Sequence, residues 1–309
     1  MEPYKPAYLR LLESSELKRR AMQAKEMLAC CMVCAWNCEV DRTARELGQC
    51  RTGALARVSN FMPHHGEEKP LSGWLGSGTI FFAGCNMHCQ YCQNSDISQS
   101  DGGIEVNDEE LAAMMMALQK QGCHNINFVS PSHVVPQILG ALVIAARADL
   151  HLPLVYNTGG YDALPTLKLL DGIIDIYMPD MKYADEKVAR KYSKIPNYPA
   201  VNQAAVREMH RQVGDLQING QGIALRGLLV RHLLLPNGLA GTTEIMEFLA
   251  NKISKYTYVN IMDQYHPEYH AQDYAELSRC ITSKEYNSAV QTSLDAGLHR
   301  FDKPISPLL

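Results

Sequence analysis

The feature that most constrains this chain is the stretch Gly78-Thr79-Ile80-Phe81-Phe82-Ala83-Gly84-Cys85-Asn86-Met87-His88-Cys89-Gln90-Tyr91-Cys92. The apolar run Ile80 to Ala83 is short and aromatic, as a buried strand is. Gly84 ends it, and three cysteines follow at C-x3-C-x2-C. Three thiolates on one tight loop can hold three corners of a cubic [4Fe-4S] cluster, for which four cysteines are the ordinary full set. The fourth iron is then left open to a small molecule that accepts an electron. A zinc knuckle is the competing reading. It needs a fourth ligand, and His88 is the only close candidate.

Ten cysteines, eight of them in two tight groups, suit metal sites in a reducing compartment better than a disulfide framework. The second group is Cys30, Cys31, Cys34, Cys38 and Cys50. Cys31-x2-Cys34-x3-Cys38-x11-Cys50 has metal-site spacing, and zinc and a second iron–sulfur cluster both fit it. Cys30 is the spare thiol. A helix over 14–29, capped by Ser14 or Ser15, leads into this group. Residues 58–73 read as a Pro/Gly/His-rich linker with a short strand or two, in which His64 and His65 are solvated. The chain thus divides into an N-terminal helix and cysteine-rich metal-binding region (1–70) and a larger region (71–300). The smaller one has little apolar material, so it is expected to need its metal to fold.

With 46% hydrophobic and 20% charged residues, the 309-residue chain has the composition of a soluble globular protein. Its net charge of −4 gives no electrostatic case for nucleic-acid binding. No apolar run is long enough to span a bilayer, and Met1 to Arg20 carries charges throughout. The expected location is cytoplasmic, away from membranes.

After the cysteine loop, strands and helices alternate. Asn107 and Glu110 form a capping-box pattern for a helix that Gly122 stops. Strands are expected at 125–130, 152–156, 173–178, 228–235 and 257–262. Helices are expected at 134–148, 163–170, 185–193, 199–213 and 243–254, with a helical tail over 272–280 and 284–296. Six apolar strand-plus-helix units require a parallel sheet covered by helices, and six are too few for an eight-stranded barrel. The fold expected is α/β, a partial (β/α)6 barrel. Reactive groups gather at the carboxyl ends of such strands. Ser130-Pro131-Ser132-His133, Asn157-Thr158-Gly159-Gly160, Asp180-Met181-Lys182 and Gln264-Tyr265-His266 all fall there. Arg231 and His232 lie inside the fifth strand, so one must face the barrel and the other the helices.

The cysteine motif, with Tyr91 before its last member, resembles that of the radical S-adenosylmethionine (SAM) superfamily. Within it, Asp180-Met181-Lys182, Val230-Arg231-His232 through Pro236, and Tyr265-His266 resemble segments of the pyruvate formate-lyase activating enzyme group. Val155 to Asp162, Arg211 to Leu216 and the N-terminal cysteines resemble its branch of uncharacterised activase homologues. The resemblance implies the partial barrel, a cluster on Cys85, Cys89 and Cys92, and SAM on its open iron. Reductive cleavage of SAM would give a 5′-deoxyadenosyl radical that abstracts a substrate hydrogen. It also implies contacts to SAM from Lys182, Arg231 and His266, an adenine contact from Tyr91, and a flavodoxin or ferredoxin as low-potential donor. The activases carry Gly-Gly-Glu where this chain has Ser130-Pro131-Ser132, and an Asp at the Tyr156 position. Ser130, Ser132 or Asn157 would substitute as hydrogen-bond partners, beside Asp180. The substrate is a protein, peptide or small molecule. A glycyl-radical-enzyme activase and a non-catalytic metal-binding or redox-interaction protein are the alternatives.

Overall fold

A computed structural model describes residues 4–100 and 102–303. Two helices, α1 (Tyr8–Glu13) and α2 (Glu16–Glu26), lead through a long loop to β1 (Ala56–His64) and one helical turn, α3 (Lys69–Ser72). Next come β2 (Ser77–Phe82), the cysteine loop with α4 (Ser95–Ser98), β3 (Ile104–Val106) and α5 (Asp108–Lys120). The alternation continues with β4 (Ile126–Val129), α6 (Val135–Arg147), β5 (Leu154–Thr158), α7 (Leu164–Leu169) and β6 (Ile176–Pro179). Helices α8 (Glu186–Ser193) and α9 (Tyr198–Val213) precede β7 (Gln217–Ile218), β8 (Ala224–Leu233), α10 (Thr242–Phe248), β9 (Tyr258–Met262), α11 (Ser283–Asp295) and β10 (Arg300–Phe301).

The sheet order is β10-β9-β8-β6-β5-β4-β2-β1-β3, with β7 beside β8. Strands β2, β4, β5, β6, β8 and β9 run parallel, which is the expected six-stranded partial barrel. Strand alternation separates two layers. Ile80, Phe82, Phe128, Tyr156, Tyr177, Val230 and Ile261 belong to the core shared with the helices. Val155, Ile176, Met178, Leu229 and Tyr258 form a second cluster with Leu71 of α3, inside the barrel. Asn107 closes both halves of its capping box at the start of α5, as its spacing indicates.

The short strand expected within 58–73 is part of a longer one: residues 56–64 are a nine-residue strand paired antiparallel to β2, which continues the sheet beyond its first parallel member. Residues 271–277 form two short 3₁₀ turns rather than a helix. The N-terminal helices also do not stand alone. Tyr8, Leu17, Ala21, Ala24 and Leu28 are buried in the same core as α5 and α6. Among the described residues no helix is long and apolar enough to cross a membrane.

Candidate functional site

The site begins where β2 ends. Gly84 has φ +78°, and a Cβ there would lie 2.8 Å from the Cys50 carbonyl oxygen. Glycine alone meets that backbone at no steric penalty. The loop that follows is pinned to the end of α8: His88 N–H donates to Ser193 O at 3.1 Å and Gln90 N–H to Tyr192 O at 2.8 Å. Each of the three sulfurs has a polar neighbour. Cys85 Sγ accepts from Met87 N–H at 3.3 Å, Cys89 Sγ accepts from Ser193 Oγ at 3.0 Å, and Cys92 Sγ lies 3.1 Å from Ser98 Oγ. Burial pushes the Cys85 thiol up to about 12 and the Cys89 thiol up to about 11. Both keep their protons at neutral pH until a metal displaces them.

The three cysteines open onto a chamber of about 400 Å³ at the carboxyl ends of the strands. Tyr91, Ser130, Asn157, Asp180, Lys182 and Arg231 line it as well. Asp180, 6% exposed, accepts from Arg231 Nε at 2.8 Å and from Lys182 Nζ at 2.6 Å. Burial alone would raise the Asp180 carboxyl, but the two cations outweigh it and hold it below the usual range. Arg231 also donates to Asn157 Oδ1 at 2.7 Å. Ser130 holds φ +59°, a left-handed conformation that is costly outside glycine and that clusters at functional sites. Tyr91 OH pairs with Tyr183 OH at 2.6 Å, and Tyr183 with Ser193 Oγ at 2.6 Å, so one hydroxyl chain runs to Cys89.

Two residues expected at the site lie elsewhere. Ser132 is buried behind β5, where its hydroxyl is 2.9 Å from Thr158 Oγ1, which in turn donates to Asp162 at 2.7 Å. The left-handed turn at Ser130 carries the chain inward past the chamber. His266 is exposed and pairs with Glu268 at 3.1 Å. Its neighbour Tyr265 takes the buried side, as alternation along an extended segment dictates. Arg231 and His232 divide as expected. Arg231 lines the chamber, while His232 is fully buried, 2.7 Å from Met181 O and 3.0 Å from Thr242 Oγ1.

His64, expected to be solvated, lines the chamber with Glu67 and Phe81. His64 Nδ1 is 3.3 Å from Glu67 Oε1, and that hydrogen bond raises its pKa. Glu68 beside it is buried, with Oε1 accepting from Asn260 at 2.9 Å and Oε2 unpartnered. The alternation of Ala56 and Val58 with Arg57 and Ser59 was the local signal for the start of this strand.

The donor set fits an iron–sulfur cluster. Cys85, Cys89 and Cys92 open onto the chamber from one loop, three thiolates for three irons of a four-iron cluster, whereas a structural zinc takes four ligands.

The radical SAM superfamily model matches residues 79–236. An uncharacterized protein of Methanocaldococcus jannaschii is 31% identical over 276 residues, covering 87% of this chain and 75% of that one. Among solved structures, a radical SAM methyltransferase from Sphaerobacter thermophilus is 14% identical with a TM-score of 0.48, over 72% of this chain and 66% of that one. The FeFe-hydrogenase maturase from Carboxydothermus hydrogenoformans is 13% identical with a TM-score of 0.47, over 71% of this chain and 51% of that one.

Proposed function

Because this chain belongs to the radical SAM superfamily, we propose that its chamber carries out reductive cleavage of SAM, followed by hydrogen abstraction from a substrate. The observation that carries the reading is one juxtaposition. Three thiols of a single loop open onto the same chamber as the Lys182–Asp180–Arg231 charge triad.

In this reading Cys85, Cys89 and Cys92 hold three irons of a [4Fe-4S] cluster. When bound there, such a cluster would supply one electron for cleavage of the SAM C5′–S bond, giving the radical that would take a substrate hydrogen. The protein's part is to bind, orient and exclude water. Lys182 and Arg231 would take the SAM carboxylate. Asp180, held ionised between them, fixes both cations in place. Asn157 and Ser130 would offer acceptors to the amino group, in place of the Glu of the activases, and Tyr91 would stack near the adenine. Lys182 is paired with Asp180, and Cys89 with Ser193, so the fold holds these side chains at the chamber wall.

A low-potential donor such as flavodoxin or ferredoxin supplies the electron. The substrate is a protein, peptide or small molecule that reaches the chamber beside His64 and Glu67. Anaerobic reconstitution with iron and sulfide, followed by electron paramagnetic resonance of the reduced protein, tests the reading. A [4Fe-4S]+ signal whose shape changes when SAM is added is expected. A signal indifferent to SAM sinks it.

A further inference from the structure

The second cysteine group lies against the first. Cys31, Cys34 and Cys50 are buried and Cys38 is half-exposed. Their sulfurs sit close enough to interact electrostatically, Cys34 with Cys38 and Cys50, and Cys38 with Cys31. The loop that carries them is tightly wound. Asn37, Glu39, Arg45 and Arg51 all have φ between +47° and +68°, and a Cβ on Gly48 would lie 2.7 Å from Cys38 Sγ. Backbone N–H groups of Trp36 and Gln49 point at Cys34 and Cys38.

A second observation is a buried cation held against the set. Arg42 is 1% exposed. Its guanidinium donates to Gly53 O at 2.8 and 3.0 Å, to His133 O at 2.8 Å, and to Cys31 Sγ at 3.8 Å. Among the described residues it pairs with no carboxylate. Buried charges are paired or coordinate metals, and the side chain that this guanidinium meets is Cys31 of the cysteine set. Thiolates become stable in such a site when they are metal-bound.

Four thiolates suit a zinc and a four-iron cluster alike. The two differ in what they can do beside the first cysteine loop: zinc has no redox chemistry, and a cluster can pass an electron.

The two sets meet through one residue. The Asn86 side chain sits against Cys34 Sγ and donates to Tyr161 O at 2.7 Å, while its own carbonyl accepts from Trp36 Nε1 at 2.6 Å. Asn86 is the residue after Cys85. Cys34 is also held on the barrel by a bridge to Asp162. On the other side, Cys38 faces an open cleft of about 620 Å³ that Trp36, Leu47 and Tyr269 line with His88 and Gln99 of the first cysteine loop.

We propose that Cys31, Cys34, Cys38 and Cys50 hold a second, coordinatively closed iron–sulfur cluster that relays electrons through Cys34 and Asn86 to the chamber. The relay rests on the radical SAM reading of that chamber. Each step moves one electron and no atoms. A reduced flavodoxin-type donor gives an electron to the second cluster, which returns to its oxidised state by passing it to the first. Four thiolates leave no open iron, so this cluster binds no SAM.

The test compares full-length protein, reconstituted anaerobically, with the Cys34→Ser/Cys38→Ser double variant. The wild type should hold about eight irons per chain and the variant about four. With dithionite, which reduces without docking, both should form 5′-deoxyadenosine at similar rates; retained turnover also shows that the variant barrel is folded. With reduced flavodoxin, formation should be lost in the variant and kept in the wild type. Asn86→Ala should slow the flavodoxin-driven reaction while leaving the iron count unchanged. One zinc per chain, or about four irons in both proteins, would overturn the second cluster. Equal loss with both reductants would overturn the relay. A wild type that holds both clusters but makes no 5′-deoxyadenosine with dithionite would overturn the chamber's reading, and the relay with it.

Discussion

Asp180→Asn removes one charge from the centre of the chamber wall, and the structure sets the size of the effect. The carboxylate is buried and accepts from two cations, at 2.8 Å from Arg231 and 2.6 Å from Lys182. Breaking a buried pair by removing one partner costs about 3–5 kcal/mol, because the remaining charge has no water to return to. Asparagine keeps the shape and one acceptor oxygen, and Arg231 keeps Asn157 Oδ1 at 2.7 Å. Hydrogen bonds to charged groups are worth about 1.5–3 kcal/mol each, so the loss should fall near the lower end, about 3 kcal/mol. Asp180→Ala, with no acceptor left, should lose about 4–5 kcal/mol.

Urea denaturation reads this directly. With a slope of about 3 kcal/mol/M, the Asn variant should unfold about 1 M earlier. A shift under about 0.3 M would refute the reasoning. The pH dependence carries a sign as well. The folded pKa is depressed below the unfolded value of about 3.9. Its contribution is therefore full above that value and is lost as pH falls through the folded pKa. The wild-type and Asn curves should begin to converge only below about pH 4. Convergence at neutral pH would mean that Asp180 is not ionised.

Burial holds His133 down to about 3 and His232 down to about 4, from 6.5. Both rings stay neutral in the fold and charge on unfolding, so their contribution is present above pH 6.5 and is lost as pH falls below it. Each adds about 1.4 kcal/mol per pH unit to the acid slope, and His232→Gln should halve the pair's share between pH 6 and 4.5; an unchanged slope in acid melts would contradict this. Gly84→Ala forces a side chain into φ +78° and against Cys50 O, which should cost about 1–2 kcal/mol in backbone strain alone. Calorimetry should show an earlier melt, and a melt equal to wild type would mean the two cysteine loops are not pressed together there. Lys182→Ala should weaken SAM binding in a calorimetric titration while the reconstituted chamber cluster keeps about four irons; unchanged affinity would leave Lys182 as a neutraliser of Asp180 alone.

Much of the chamber was legible because a parallel strand announces its own end. Strand, polar cluster and helix follow in fixed order, so Asn157, Asp180 and Lys182 could be located from hydropathy alone, and alternation limited Arg231 and His232 to opposite faces. What failed was local backbone direction. Ser132 stood only two residues from Ser130, yet the left-handed turn at Ser130 sent it into a buried network with Thr158 and Asp162. His266 read as a site residue beside Tyr265, but the two face opposite ways and the apolar ring takes the inside. His64 and Glu67 were hidden in a segment whose Pro63, Gly66 and paired histidines look like a linker. His64 ends a strand whose full length depends on pairing with β2, a long-range contact, and Glu67 follows it. The N-terminal helices show the same dependence on distant partners: their apolar residues are buried in a core shared with α5 and α6.

The most direct test of the central claim is 5′-deoxyadenosine formation by the reconstituted protein with SAM and dithionite under strict anaerobiosis, wild type against Cys89→Ala. Cys89 is buried and accepts from Ser193 at 3.0 Å, so its loss removes one of three thiolates with no substitute on the loop. The expected result is 5′-deoxyadenosine and methionine in equal amounts from the wild type, and neither from the variant. Full activity in Cys89→Ala, or no product from a wild type carrying a reduced [4Fe-4S] cluster, would contradict the claim.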